Sequence, residues 1–222
     1  MDFDTTRTKS GYEDIITGFE SGETGILVGT QMVTKGLDFD KVSLAGVFDA
    51  DRLMHFPDFR SYERAFQLIT QVSGRAGRRE QRGKVVVQTS NPKHQLFSFV
   101  MENDVIGFLK EQLADRQQNF YPPFARLIEI TFKHADKKTV REFADQLTGQ
   151  LKLKLKGIKI LGPGEPMVSK IRNEFLLHIL LKIPRDQGHL ADIKKLLTEI
   201  PSSSLQQKEF RNVKVVFDVD PV

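Results

Sequence analysis

The sequence predicts an α/β protein in two parts, a parallel sheet covered by helices followed by a smaller α+β domain. Three observations carry this. Over residues 12–103 short continuous apolar runs alternate with amphipathic segments, the pattern of strands buried on both faces and joined by helices. A charged segment, 104–120, is then stopped by Tyr121-Pro122-Pro123-Phe124, because proline cannot continue a helix and restricts the residue before it. Beyond that stop the runs return in the order β-α-β-β-α-β.

In chain order, Tyr12 to Ser21 carries Ile15, Ile16 and Phe19 on one side and ends at Gly22, a short helix with a glycine stop. Gly25 to Val28 reads as a buried strand, and Gly29 to Asp40 as the loop at its carboxyl end. Val42 to Phe48 reads as a second strand, closed by Asp49-Ala50-Asp51. Paired acids after a strand can hold Mg²⁺, but the expectation for Asp49 and Asp51 is polar contact at the strand end, toward Arg60 and Arg64. The turn Pro57-Asp58-Phe59-Arg60 introduces a helix, Tyr62 to Ser73, whose Ala65, Phe66, Ile69 and Val72 recur at helical spacing. A strand at Gly83–Gln88, a turn at Asn91-Pro92 and helices over Lys93–Asn103 and Asp104–Phe120 follow.

In the second half Leu127, Ile128, Ile130 and Phe132 mark a strand, and Val140 to Leu155 a helix with Phe143, Leu147 and Leu151 at core spacing. Ile158–Leu161 is a strand closed by Gly162-Pro163-Gly164, Phe175–Ile183 another, Leu190–Ile200 a helix and Val213–Val219 the last strand. That order is the order of a ferredoxin-like domain. Fold alone implies no function.

Composition narrows the classes. With 39% hydrophobic and 28% charged residues, the 222-residue chain has the balance of a globular protein with room for one large or two small cores. Residues 1–103 hold 13 Lys/Arg and 14 Asp/Glu, net −1, and residues 104–222 hold 20 and 15, net +5, so phosphate-backbone contact is expected from the second half. Absence of cysteine excludes disulfides and thiolate metal sites within the chain, and the five scattered histidines have no ligand spacing, so no metal is expected here. No apolar run reaches the roughly 20 residues of a membrane span and the acidic start is unlike a signal peptide, so a cytoplasmic location is expected.

The chemistry concentrates after the helix of residues 62–73, in Gln71-Val72-Ser73-Gly74-Arg75-Ala76-Gly77-Arg78-Arg79. Glycines permit close backbone approach and arginines supply planar, permanently charged forks for phosphate oxygens. Taken alone, the segment also reads as a helix end closed by glycine with solvated basic residues against the dipole. Two features favour the anion-binding reading: Gln71 stands four residues, about one turn, before Arg75, and a second glycine-containing loop lies upstream, Gly29 to Phe39. Together they resemble motifs V and VI of superfamily-two helicases. DFDTTR, ILVGTQMVTKGLDFDKV, PDFRSYERAFQLITQVSGRAGR, NFYPPF and VFDVDP, in that order, resemble the C-terminal part of the replication-restart helicase family PriA, also called primosomal protein N′.

The resemblance implies a partial second RecA-like helicase lobe over 1–103, a connector helix over 104–120 and a ferredoxin-like DNA- and partner-binding domain over 121–222. It implies that Arg75 and Arg78 act on the γ-phosphate of ATP with Gln71 sensing it, that Gly36, Asp38 and Gly74 lie near the nucleotide, and that Thr30 and Gln31 touch the nucleic-acid track. Lys170 and Arg172, with Lys152, Lys154, Lys156 and Lys159, are expected to meet DNA or the acidic tail of single-strand-binding protein, although Glu174 and Leu176 stand where the family suggests arginines. There is no GxxxxGK[ST] loop in the chain. By resemblance, Met1 to Ser10 reads as the interior of a lobe, so the chain is expected to be a fragment: ATP and Mg²⁺ would belong to the full-length 3′–5′ DNA helicase, which recognises abandoned replication forks and assembles a primosome with its partner proteins, and zinc to a region upstream. Two other readings stay open at this point: a non-catalytic nucleic-acid or protein-binding module, and another superfamily-two repair helicase, against which PDFR and DVDP argue.

Overall fold

Local pattern and backbone agree from the first helix. The structure is a computed structural model and describes residues 9–30, 42–74, 83–185 and 190–221. Helix α1 (Lys9–Ser21) half-buries Ile15, Ile16 and Phe19 and stops at Gly22, whose φ of 85° carries no Cβ penalty in glycine. Gly25–Val28 departs from expectation: it pairs with none of the described strands, and Ile26 and Val28 are 81% and 65% exposed. An apolar run becomes a strand only where a neighbour takes up its backbone hydrogen bonds, and none of the described strands does so.

The chain divides between Gln112 and Leu113 into two compact units. In the first, β1 (Leu44–Val47) and β2 (Lys84–Val87) pair in parallel, Leu44 opposite Lys84 and Val47 opposite Val87. Helices α2 (Ala50–Met54), α3 (Ser61–Ser73) and α4 (Gln95–Glu102) supply most of the core, in which Ala50, Ala65 and Ile69 are fully buried. Helix α5 (Val105–Gln118) adds Phe108, whose ring stacks on Phe66 with centroids 4.2 Å apart. The short helix α2 has no apolar period of its own and is not expected from the sequence.

The second unit contains β3 (Ala125–His134), α6 (Lys137–Lys154), β4 (Lys159–Gly164), β5 (Lys170–Ile171), β6 (Glu174–Pro184), α7 (Leu190–Leu205) and β7 (Lys214–Val219). Its sheet runs β4-β6-β3-β7 with β5 added to β6, every pairing antiparallel. Alternation places Ile130 and Phe132 of β3 and Ile179, Leu181 and Ile183 of β6 on the face covered by α6 and α7. Phe143 of α6 lies edge-on to Phe132 and Phe210, with centroids 5.6 and 5.3 Å away. The glycine expected to close β4 sits inside it: Gly162 has φ of 100° at an irregularity in the β4–β6 register, and a Cβ there would stand 2.7 Å from the His178 carbonyl oxygen. Helix α7 continues past Ile200 through a buried Pro201. Among the described residues no helix is long and apolar enough to cross a membrane.

Candidate nucleotide and nucleic-acid sites

Helix α3 is the rigid support of the first site. Ala65, Phe66 and Ile69 anchor it in the core, and the PDFR turn fixes its start. The Asp58 carboxylate accepts the Arg60 N–H at 2.9 Å and pairs with the Arg64 guanidinium at 2.7 Å, while the buried Ser61 hydroxyl donates to the Asp58 carbonyl at 2.6 Å. At the other end Gln71 is exposed. Gly74 caps the helix with right-handed φ and ψ of −71° and −10°, its N–H bonded to the Thr70 carbonyl at 2.9 Å. Among the described residues, a Cβ at Gly74 would meet only the Thr70 oxygen at 3.5 Å and the Gln71 oxygen at 3.8 Å, ordinary contacts. Ending α3 therefore does not require glycine at 74, in contrast to a left-handed glycine cap. Arg75 and Arg78 lie outside the described residues, as do Gln31, Gly36 and Asp38. Thr30 is described, and exposed.

The acids after β1 correct one expectation. Asp49 caps α2 by accepting the Arg52 N–H at 3.3 Å. Asp51 accepts the Thr89 hydroxyl and the Ser90 N–H, both at 2.7 Å, so it joins the segments that follow β1 and β2 instead of reaching Arg60 or Arg64. Those bonds, the Ser90 N–H first, hold its carboxyl below the usual carboxylate range. Both Asp51 oxygens are engaged in tying the loops together and one Asp49 oxygen caps α2, while Arg64 has taken Asp58.

In the second unit the hairpin β5–β6 presents Lys170 and Arg172. Arg172 and Asn173 form its two-residue turn with φ of 46° and 68°, the left-handed pair of a type I′ turn. Asn suits that position and Arg does not, which is why the sequence hides this strand. The Lys170 ammonium lies 4.7 Å from the centroid of the Phe175 ring. Glu174 pairs with Lys214 at 2.7 Å, and Leu176 is buried. The expected basic stretch is thus replaced by a salt bridge and an apolar contact.

The four lysines expected beside this hairpin are elsewhere. Lys159 is opposite Lys182 in the ladder, whereas Phe175 is opposite His134 at the other end of β3. Lys152, Lys154 and Lys156 follow the same geometry, since α6 rises about 1.5 Å per residue and separates them by roughly 20 Å from its first turns. Besides Lys214, cations beside the hairpin are Lys137 and Arg141, which share a cleft with Ser169 and Phe175. A signal for them exists in the sequence: two lysines directly after the N-cap Asp136 run against the helix dipole.

Known proteins resemble the chain along its length. The family described as "Helicase conserved C-terminal domain" matches residues 2–80, and the family described as "Primosomal protein N C-terminal domain" matches residues 117–222. Replication restart protein PriA of Bacillus subtilis is 37% identical over 222 residues, covering 100% of this chain and 27% of the relative. The PriA of Synechocystis is 37% identical over 226 residues, with 100% and 26% covered, and that of Treponema pallidum 35% over 227 residues, with 99% and 33% covered. The chain thus spans about a quarter to a third of the length of the curated relatives it matches.

Proposed function

This chain belongs to the PriA family of replication restart proteins and matches its C-terminal region, and on that premise we propose that it supplies the second half of an ATP-driven 3′–5′ DNA helicase together with a DNA- and partner-binding domain. In this reading the first unit is part of a RecA-like lobe, supported by the parallel β1–β2 pair with helices. The second is ferredoxin-like, supported by its strand order β4-β6-β3-β7. The protein acts at stalled or abandoned forks, on branched and single-stranded DNA, and assembles with single-strand-binding protein and other primosome proteins.

Gly74 is the observation that carries the nucleotide assignment. A glycine that the helix end does not need is accounted for by a ligand that must come close to the backbone. Arg75 and Arg78 come next in the sequence and have the chemistry to stabilise charge on a γ-phosphate. Gln71, one turn earlier, senses that phosphate. Gly36 and Asp38 serve the ribose side, and Thr30 and Gln31 the DNA track. ATP supplies the driving free energy when bound. Mg²⁺ and most of the triphosphate fall to other parts of the full-length protein, since the chain has no GxxxxGK[ST] loop and both Asp51 oxygens are committed to Thr89 and Ser90.

An arginine that acts on the transferring phosphate is worth about 10³ to 10⁵ in turnover. In full-length protein, Arg75→Ala and Arg78→Ala should each lower DNA-stimulated ATPase by at least about 10²-fold, with smaller effects on nucleotide affinity. Gly74→Ala should lower it too while leaving the melting temperature of the 222-residue chain unchanged. Wild-type turnover in all three would refute the assignment. Lys170 and Arg172 carry the DNA role of the second unit, tested by the salt dependence of binding to the double variant Lys170→Ala/Arg172→Ala.

A further inference from the structure

Lys137 opens α6 at the positive end of the helix dipole, an unfavourable place for a cation. Arg141 lies one turn on, and both line a shallow, solvent-open cleft that Phe175 also lines. The Lys170 ammonium rests over that same ring, 4.7 Å from its centroid. Two cations therefore line one small cleft, and a third rests on the Phe175 ring beside it. Into it projects one acid: the Glu165 carboxylate lies 2.9 Å from Lys137 Nζ and 3.9 Å from the Arg141 guanidinium. Arg141 is oriented further by donating to the Pro163 carbonyl at 3.4 Å. Lys137, by hydrogen bond and then by charge, and Arg141 by charge hold the Glu165 carboxyl below its usual range. All three side chains are about 40% to 60% exposed, so solvent and solutes reach the pair.

Building on the DNA-binding reading of the second unit, we propose that the cleft lined by Lys137 and Arg141, beside Lys170, is a seat for a nucleic-acid backbone phosphate, held in the free protein by the Glu165 carboxylate until the phosphate displaces it. A phosphodiester, like a carboxylate, spreads one negative charge over two terminal oxygens, so the exchange conserves both charge and hydrogen-bonding capacity. Exposed ion pairs are weak, and opening this one lowers phosphate affinity by a factor of about two to five. Glu165 thereby acts as a threshold, rejecting weakly held anions and yielding to a strand already docked on Lys170 and Arg172.

The test measures binding of the 222-residue chain to an oligothymidylate of about 20 nucleotides by fluorescence anisotropy at about 50 and 200 mM salt. Glu165→Gln should bind about two to five times more tightly and with a salt slope steeper by up to about 0.7, the increment for one single-strand phosphate contact. Lys137→Ala/Arg141→Ala should weaken binding, and adding it to Glu165→Gln should cancel the gain. If all three bind as wild type does while Lys170→Ala/Arg172→Ala weakens binding, the inference is overturned and the DNA reading stands. If the unaltered chain binds no DNA at about 50 mM salt, both are overturned. A gain by Glu165→Gln for a polyglutamate peptide and not for the oligonucleotide also overturns it and assigns the cleft to acidic peptides.

Discussion

Lys182 gives the sharpest test of the second unit. It lies in the middle of β6, is only 3% exposed, donates to the Asn119 carbonyl at 2.8 Å and sits 3.3 Å from the centroid of the Tyr121 ring. Burial first, then the neighbouring Lys159, depress its pKa from 10.5 to about 8, with Asp115 acting in the opposite sense. With the folded pKa below the unfolded one, the unfolded chain binds more protons between about pH 8 and 10.5, so stability rises with pH across that window and the penalty is complete below it. Every tenfold weakening of proton binding corresponds to about 1.4 kcal/mol. A depression to about 8 would then amount to at most about 3 kcal/mol, and solvent screening reduces it to roughly 1–2 kcal/mol. Lys182→Met keeps the length of the side chain and removes the charge. The difference in urea midpoint stability between variant and wild type should therefore move by about that amount, in favour of the wild type, from about pH 7.5 to 10. An NMR titration of the lysine Cε resonances should show one lysine titrating well before the rest, and its signal should vanish in the variant. If every lysine titrates together near 10.5, or the two stability curves stay parallel, the account of this buried ammonium is wrong.

Two further changes test packing and turn geometry. Phe143→Ala removes a fully buried ring held between Phe132 and Phe210 and should cost about 3–5 kcal/mol in urea unfolding; a loss under about 1 kcal/mol would mean the core is not packed as described. Asn173→Ala forces alanine to φ of 68° in the β5–β6 turn and should destabilise by about 1 kcal/mol, whereas Asn173→Gly should not, both read by thermal melting.

Elements with a strong period are legible in the sequence alone. The apolar stripe of α3 and the alternation of β3 and β6 dictate what each buries, because side-chain direction follows backbone period. What the sequence hides has physical reasons of two kinds. Gly25–Val28 has the composition of a strand but pairs with none of the described strands, and β5 is two residues long, shorter than any period can reveal. The candidate site is legible as chemistry but not as place: Gly74, Gln71, Lys170 and Arg172 stand out by type and spacing, while the convergence of Lys137 and Arg141 on Phe175 depends on how α6 lies across the sheet. Lys152, Lys154 and Lys156 follow them along that helix and just past its end, and helix length alone sends the two groups to opposite ends.

The sheet order of the second unit also sets the timing of its assembly. Strand β3, the first of that unit, is flanked by β6 on one side and β7 on the other, so Ile128 must wait for Val219, and Leu127 for the backbone and side chain of Asp220. The central strand thus keeps one raw edge until roughly ninety more residues have been added. Pairings this distant in sequence carry the loop-closure entropy that slows folding. During synthesis this apolar central strand is exposed longest, and α6, which immediately follows β3, is the segment available to shield it in the meantime.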